Sequence, residues 1–137
     1  MMRQEPLLPP RVLVVEDEPR VAQLVAEVLE AEGYEVDTAA NGLLALEKIE
    51  EHNYDLILSD LRMPELDGLG LYRELERRQP ALLSRFLFVS GTTEQPEYRN
   101  FLAETAVPVL SKPFALLDLQ QVTRRVLAAR RREPEQA

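Results

Sequence analysis

The chain contains no cysteine, no tryptophan and a single histidine, His52. These absences exclude disulfides and thiolate chemistry, and one histidine cannot supply the ligands of a typical zinc site. The five glycines are scattered, which argues against the glycine-rich loop of a nucleotide-binding protein. No apolar run approaches the roughly 20 residues that span a bilayer, and the first residues lack the apolar core of a signal peptide. We therefore expect a cytoplasmic protein without a membrane span.

Acidic residues outnumber basic ones, 24 to 16, and give a net charge of -8. Such a surface repels the phosphate backbone, so we expect no direct binding to nucleic acid. The length of 137 residues and the hydrophobic fraction of 45% fit one globular domain. We expect a flexible lead-in over residues 1–10, a folded domain over residues 11–130 and a polar tail over residues 131–137.

Short apolar runs alternate with stretches of helical periodicity. The apolar runs predict strands at residues 12–15, 34–38, 55–59, 86–89 and 107–110. The periodic stretches predict helices at residues 18–32, 41–49, 68–78, 96–104 and 116–129. Five such units in a row predict an α/β fold, a doubly wound five-stranded parallel sheet with helices on both faces. The helix at residues 96–104 has the weakest apolar period, and we expect it to be the most mobile.

Polar residues collect where the predicted strands end, which is where ligands of a parallel sheet bind. The first strand is followed by Glu16 and Asp17, the third by Asp60, the fourth by Ser90 and the fifth by Lys112. Clustered carboxylates repel one another unless a cation compensates, and an all-oxygen set without histidine or cysteine suits Mg²⁺. The sequence therefore indicates a magnesium site beside a lysine.

Each of these residues also has a simpler explanation. The acidic pair can stabilise the start of the following helix through the helix dipole, and Asp60 and Ser90 can be turn-forming residues. Lys112 can lie along the surface with its amine in water. The joint occurrence of all of them at one edge of the sheet favours a functional site.

Four segments resemble the response-regulator receiver domains of the CheY-like type. They are VLVVEDEP at residues 12–19, DLRMPELDG at residues 60–68, VSG at residues 89–91 and SKPF at residues 111–114. The resemblance extends from about residue 11 to residue 129 and implies two-component signal transduction. It also implies the flavodoxin-like strand order 2-1-3-4-5.

The resemblance implies that Asp60 accepts a phosphoryl group from the phosphohistidine of a histidine kinase or phosphotransfer protein. It further implies Mg²⁺ as a cofactor, with Asp17 and Asp60 as direct ligands and Glu16 helping through water. The backbone carbonyl of Arg62 would be another ligand. Receivers usually have two aspartates at the end of the first strand, so Glu16, one methylene longer, is expected to weaken or shift the affinity for Mg²⁺.

Ser90 and Lys112 are implied to contact the phosphoryl group, and the peptide bond after Lys112 is expected to be cis. Phosphorylation adds a charge of about -1.5 to -2, so Ser90 with Gly91 and Thr92 is expected to move and switch the binding of a downstream effector protein. Val109 stands where the family often has tyrosine or phenylalanine, whose ring turns inward on activation. Output through such an aromatic side chain is therefore in question.

Arg62 and Thr92 stand two residues beyond Asp60 and Ser90, where the family places the water that hydrolyses the acyl phosphate. We expect this pair to give the acyl phosphate a lifetime unlike that of fast chemotaxis regulators. The protein would catalyse its own loading and unloading without turning over an external substrate.

Three questions stay open at this point. The main alternative function is a pseudo-receiver, an interaction module that keeps the fold without being phosphorylated, and a Mg²⁺-dependent phosphatase is a minor one. The receiver could act alone or within a longer protein. A homodimer is a further possibility, with no geometry favoured by the sequence.

Overall fold

The computed structural model describes residues 8–91 and 94–131, the last two by their backbone alone. The lead-in over residues 1–7, Thr92 and the tail from residue 132 lie outside the described residues. The strands are β1 (Arg11–Val15), β2 (Glu35–Ala39), β3 (Leu56–Asp60), β4 (Phe86–Ser90) and β5 (Val109–Ser111). The helices are α1 (Pro19–Ala31), α2 (Gly42–Glu51), α3 (Gly68–Arg78), α4 (Pro96–Thr105) and α5 (Leu116–Arg131).

The five strands form one parallel sheet in the order β2-β1-β3-β4-β5, which confirms the predicted fold class and strand order. In this order β3 is central, with β1 on one side and β4 on the other. Because all strands are parallel, their carboxyl ends meet at one edge of the sheet. The residues that end β1, β3, β4 and β5 are thereby brought together.

The core has two halves, one on each face of the sheet, because successive strand residues point to opposite faces. In β1, Leu13 and Val15 face the half covered by α2, α3 and α4, whereas Val12 and Val14 face the half covered by α1 and α5. Both faces of the central strands are buried, so these strands are apolar almost throughout, as parallel strands between two helical layers are.

The predicted element boundaries lie within two residues of the observed ones, and α3 agrees at both ends. Asp60 and Ser90, predicted to follow their strands, are instead the last residues of β3 and β4. β5 begins at Val109, two residues later than predicted. Pro108 has no N–H to donate to a strand ladder, and its carbonyl accepts a hydrogen bond from the N–H of Phe88 at 2.9 Å. A short 3₁₀ helix at Pro80–Arg85 was not predicted.

Side chains cap the starts of two helices on the same face of the sheet. The side chain of Asn41 accepts a hydrogen bond from the N–H of Leu44 at the start of α2, and Asp67 accepts one from Gly70 at the start of α3. Among the helices that the structure describes, none is long and apolar enough to cross a membrane.

Candidate functional site

Asp60 ends the central strand β3 and is largely buried, with 9% of the residue exposed. Its Oδ2 accepts a hydrogen bond from Nζ of Lys112 at 2.8 Å. Its Oδ1 accepts a longer one from the backbone N–H of Arg62 at 3.3 Å. Donors from two different loops therefore orient the two oxygens of this carboxylate at the carboxyl edge of the sheet.

Glu16 follows β1 and is buried, whereas the next residue, Asp17, is exposed. Oε2 of Glu16 accepts a hydrogen bond from the N–H of Glu18 at 3.1 Å, and Oε1 lies 3.4 Å from Nζ of Lys112. Burial raises the pKa of Glu16 above its usual value, although the Glu18 N–H and the Lys112 ammonium oppose this. The carboxyl groups of Asp17 and Asp60 raise the pKa of Glu16 further.

Lys112 follows β5 and connects it to β4, since its backbone N–H donates to the carbonyl of Ser90 at 3.0 Å. The peptide bond between Lys112 and Pro113 is cis, as expected from the resemblance. Partial burial would lower the pKa of Lys112, but the hydrogen bond and the charge of Asp60, with those of Glu16, outweigh it. The pKa of Lys112 is raised as a result, so its amine is held as an ammonium between the ends of β1 and β3.

Glu16, Asp17 and Asp60 each place a carboxylate oxygen within 4.8 Å of those of the other two, close enough to hold one metal ion. The donor set consists of oxygen atoms alone, which suits a hard divalent cation such as Mg²⁺. When ionised, the three carboxylates carry three negative charges against one positive charge on Lys112. The surplus of two matches a divalent ion, so the residues fit the predicted cofactor. The carbonyl of Arg62 as a ligand stays a prediction.

Ser90 and Gly91, two of the predicted switch residues, lie beside Lys112. Ser90 is fully buried at the end of β4. A Cβ atom on Gly91 would lie 3.8 Å from Cβ of Lys112, which places this glycine in ordinary contact distance of the lysine. Val109 is half-buried and packs against the part of the core that includes Phe101. Their movement on phosphorylation stays a prediction.

The structure also shows a contact that the sequence did not suggest. The hydroxyl of Tyr98, on α4, donates to Oδ2 of Asp67 at 3.2 Å. Asp67 lies in the loop that follows Asp60, within the segment DLRMPELDG, and no individual role was predicted for it. Nothing in the sequence indicates which way Tyr98 points, because that depends on how α4 packs against the sheet.

Two curated relatives differ greatly in length from one another. The sensor kinase CckA of Brucella abortus (strain 2308) is 41% identical over 118 residues, which cover 85% of this chain and 12% of that protein. The response regulator receiver protein CpdR of the same strain is 34% identical over 119 residues, which cover 87% of this chain and 98% of that protein. The chain thus spans a small part of one relative and nearly all of the other.

Comparison with solved structures leads to the same kind of domain. The receiver domain of the sensor histidine kinase PA1611 from Pseudomonas aeruginosa PAO1, solved with a magnesium ion coordinated in its active-site cleft, has a TM-score of 0.77 and 29% identity. The match covers 88% of this chain and 99% of that chain. The family model of the response regulator receiver domain matches residues 12–124. The chain therefore belongs to the response regulator receiver domain family of two-component signalling.

Proposed function

We propose that Asp60 accepts a phosphoryl group from a phosphohistidine of a histidine kinase or phosphotransfer protein. The observation that carries this proposal is the placement of the Asp60 carboxylate. It lies 2.8 Å from the ammonium of Lys112 and within 4.8 Å of the carboxylate oxygens of Glu16 and Asp17. The Asp60 carboxylate is thus held against a cation and belongs to a cluster of carboxylates suited to a metal ion.

In the proposed reaction, a carboxylate oxygen of Asp60 attacks the phosphorus atom of the phosphohistidine. The P–N bond breaks, its electron pair stays with the imidazole, and an aspartyl phosphate forms. The transition state of such a transfer is loose, so catalysis depends mainly on positioning and on offsetting charge. Lys112 supplies a positive charge to the phosphoryl oxygens, and the Ser90 hydroxyl donates a hydrogen bond to one of them.

Glu16, Asp17, Asp60 and the backbone carbonyl of Arg62 would hold the Mg²⁺ ion. When bound, this ion offsets the negative charge of the carboxylates and of the incoming phosphoryl group. The raised pKa of Glu16 supports this assignment, because it reflects a buried carboxyl group among other carboxyl groups. Such a group gains from a nearby cation.

We assign the output to a change at the Ser90, Gly91, Thr92 and Val109 region, read by a downstream effector protein. The lifetime of the acyl phosphate would depend on Arg62 and Thr92. The domain would span residues 11–130 and act in the cytoplasm, either as a monomer or as a homodimer. The kinase relative and the regulator of nearly equal length support a receiver that acts within a longer protein or on its own.

The test is the intact mass of the protein after incubation with acetyl phosphate and Mg²⁺. We expect one phosphate adduct in the wild type and none in Asp60→Asn or in the presence of a chelator. Asp55→Asn is the matched control, because Asp55 lies beside the opposite end of β3 and its Oδ2 accepts the N–H of Arg11 at 2.9 Å. That variant should be labelled like the wild type.

An adduct that persists in Asp60→Asn would contradict the assignment of the acceptor. If the wild type forms no adduct, binding of beryllofluoride with Mg²⁺ separates two explanations. A protein that binds beryllofluoride and Mg²⁺ without being labelled by acetyl phosphate is a receiver that accepts phosphoryl groups only from a specific donor. A protein that binds neither is the pseudo-receiver, and the proposed function is wrong.

A further inference from the structure

Helix α4 is attached to the body of the protein mainly by two buried rings. Tyr98 and Phe101 are its buried residues, 5% and 2% exposed. At its N-terminus, Gln95 provides no side-chain cap, and the helix ends at Ala106 in the left-handed region, at φ 55°. A helix held by so few side chains can shift more easily than its neighbours.

Tyr98 also gives α4 a polar connection to the loop that follows Asp60. Its hydroxyl donates to Oδ2 of Asp67 at 3.2 Å, while Oδ1 of Asp67 accepts the N–H of Gly70 at 2.8 Å. Burial raises the pKa of Tyr98, and the charge of Asp67 with this hydrogen bond raises it further. The two oxygens of one carboxylate thus connect the start of α3 with the first turn of α4.

Asp67 is in turn tied closely to the backbone of Asp60. The next residue, Gly68, donates its N–H to the carbonyl of Leu61 at 2.9 Å. A Cβ atom on Gly68 would lie 2.3 Å from the carbonyl oxygen of Asp60, so the loop closes on the end of β3 without space for a side chain. A displacement of the Asp60 backbone is therefore passed to Asp67.

We infer that the hydrogen bond between Tyr98 and Asp67 is the link through which the state of Asp60 changes α4. This inference rests on the proposed phosphorylation of Asp60. Val109 stands where receivers often have tyrosine or phenylalanine. It has no polar group, and it packs against the same part of the core as Tyr98. Tyr98 supplies the hydroxyl that contacts the phosphoacceptor loop directly.

A link of this kind acts in both directions. If the bond is stronger in one state of Asp60 than in the other, its removal changes the response of α4 and the affinity for a phosphoryl analogue together. Tyr98→Phe removes the hydroxyl and keeps the ring, so the packing of α4 is preserved. Tyr98 is a positioning residue in this scheme, since it does not touch the phosphoryl group.

The experiment is hydrogen exchange of the α4 amides in the whole chain, with and without saturating beryllofluoride and Mg²⁺. In the wild type we expect the analogue to change the exchange rates by about 5-fold or more. In Tyr98→Phe this response should shrink by about 2- to 12-fold, the range expected from one hydrogen bond. Binding of the analogue is followed separately by fluorine NMR.

Tyr72→Phe is the matched control. Tyr72 is buried in the same group of rings, 5.0 Å from the Phe101 ring centroid, and its hydroxyl makes no hydrogen bond to the residues that the structure describes. This variant should respond like the wild type. An equal loss in Tyr72→Phe, or an undiminished response in Tyr98→Phe, would overturn the inference.

Two further outcomes separate this inference from the proposed function. If the wild type binds the analogue but α4 exchange does not change, α4 does not read the site and only the inference fails. If the wild type does not bind the analogue at all, the proposed function fails and the inference fails with it.

Discussion

The Nζ atom of Lys112 lies 2.8 Å from Oδ2 of Asp60, although 52 positions separate the two residues in the chain. The same amine lies 3.4 Å from Oε1 of Glu16. One ammonium is thus shared by two carboxylates at the carboxyl ends of two neighbouring strands, β1 and β3. Without it, the buried carboxyl groups would repel one another, so Lys112 both stabilises the site and prepares it for an anionic group.

Removal of this ammonium should impair phosphorylation without abolishing the fold. In Lys112→Met we expect acyl phosphate formation to fall by about 10²-fold or more, as when one preorganised donor is removed from an active site. Affinity for Mg²⁺ should stay the same or rise, because a competing cation is gone. The measurements are labelling by acetyl phosphate, followed by intact mass, and a Mg²⁺ titration.

Lys48→Met is the control, since Lys48, on α2, is the other of the two lysines in the chain. It should label at the wild-type rate. A Lys112→Met variant that labels as fast as the wild type would show that the ammonium does not assist transfer.

Mg²⁺ should raise the thermal stability of the wild type, because an ion that binds only the folded state stabilises it. At a concentration of about 100 times Kd, the gain is about 2.7 kcal/mol. Asp17→Asn should retain only part of this gain, and a chelator should remove it. Asp55→Asn should respond like the wild type. An equal Mg²⁺ response in Asp17→Asn would exclude Asp17 as a ligand.

Alkaline pH should weaken the fold through Tyr54. Burial raises the pKa of Tyr54 well above its usual 10.0, and so does the hydrogen bond to Asp37, 2.7 Å long. The folded state therefore holds this proton more tightly than the unfolded state. The stabilisation is complete below about pH 10 and is lost as the pH rises through the folded-state pKa.

Tyr54→Phe tests this expectation. Its free energy of unfolding in urea should be about 1–2 kcal/mol lower than that of the wild type near pH 7. The difference should shrink at about pH 11, because the wild type then loses the stabilisation from the protonated Tyr54 hydroxyl, which the variant lacks at every pH. A constant difference at both pH values would contradict the assignment to Tyr54.

Position 42 requires a glycine because close packing leaves no space for a side chain, and not because of its backbone angles. Its N–H donates to the carbonyl of Leu66 at 2.9 Å, and a Cβ atom there would come within 2.4 Å of the same oxygen. We expect Gly42→Ala to lower the free energy of unfolding by about 1–3 kcal/mol. Gly70→Ala is the control, because its Cβ atom would meet side-chain atoms and no backbone, namely the flexible end of Leu66 and, at 3.2 Å, Oδ1 of Asp67. Equal effects would count against the packing argument.

Ala106 ends α4 in the left-handed region, at φ 55°, where an L side chain is strained. Ala106→Gly should raise the free energy of unfolding by about 0.5–1 kcal/mol, because glycine occupies this region readily. Ala103→Gly, within the same helix and also exposed, should lower it by about 1 kcal/mol. Urea unfolding of both variants gives the comparison, and a destabilised Ala106→Gly would contradict it.

Local sequence signals predicted most of the fold because they act within one element. The apolar period of α3 and the glycine and proline at its two ends gave its bounds, and short apolar runs between helices gave the strands. The predicted strand boundaries were wrong where pairing with a neighbouring strand sets the boundary. Asp60 and Ser90 belong to their strands because the neighbouring strands continue beside them, and β5 starts after Pro108 because proline cannot donate to the ladder.

By itself, the sequence determined that acidic residues, a serine and a lysine lie at the carboxyl ends of strands of one parallel sheet, because parallel strands must end at a common edge. Only the tertiary structure decided how these residues pair. The hydrogen bond from Lys112 to Asp60 and the one from Tyr98 to Asp67 both join residues far apart in the chain. Such contacts depend on strand order, on helix packing and on side-chain direction, none of which is encoded in any single segment.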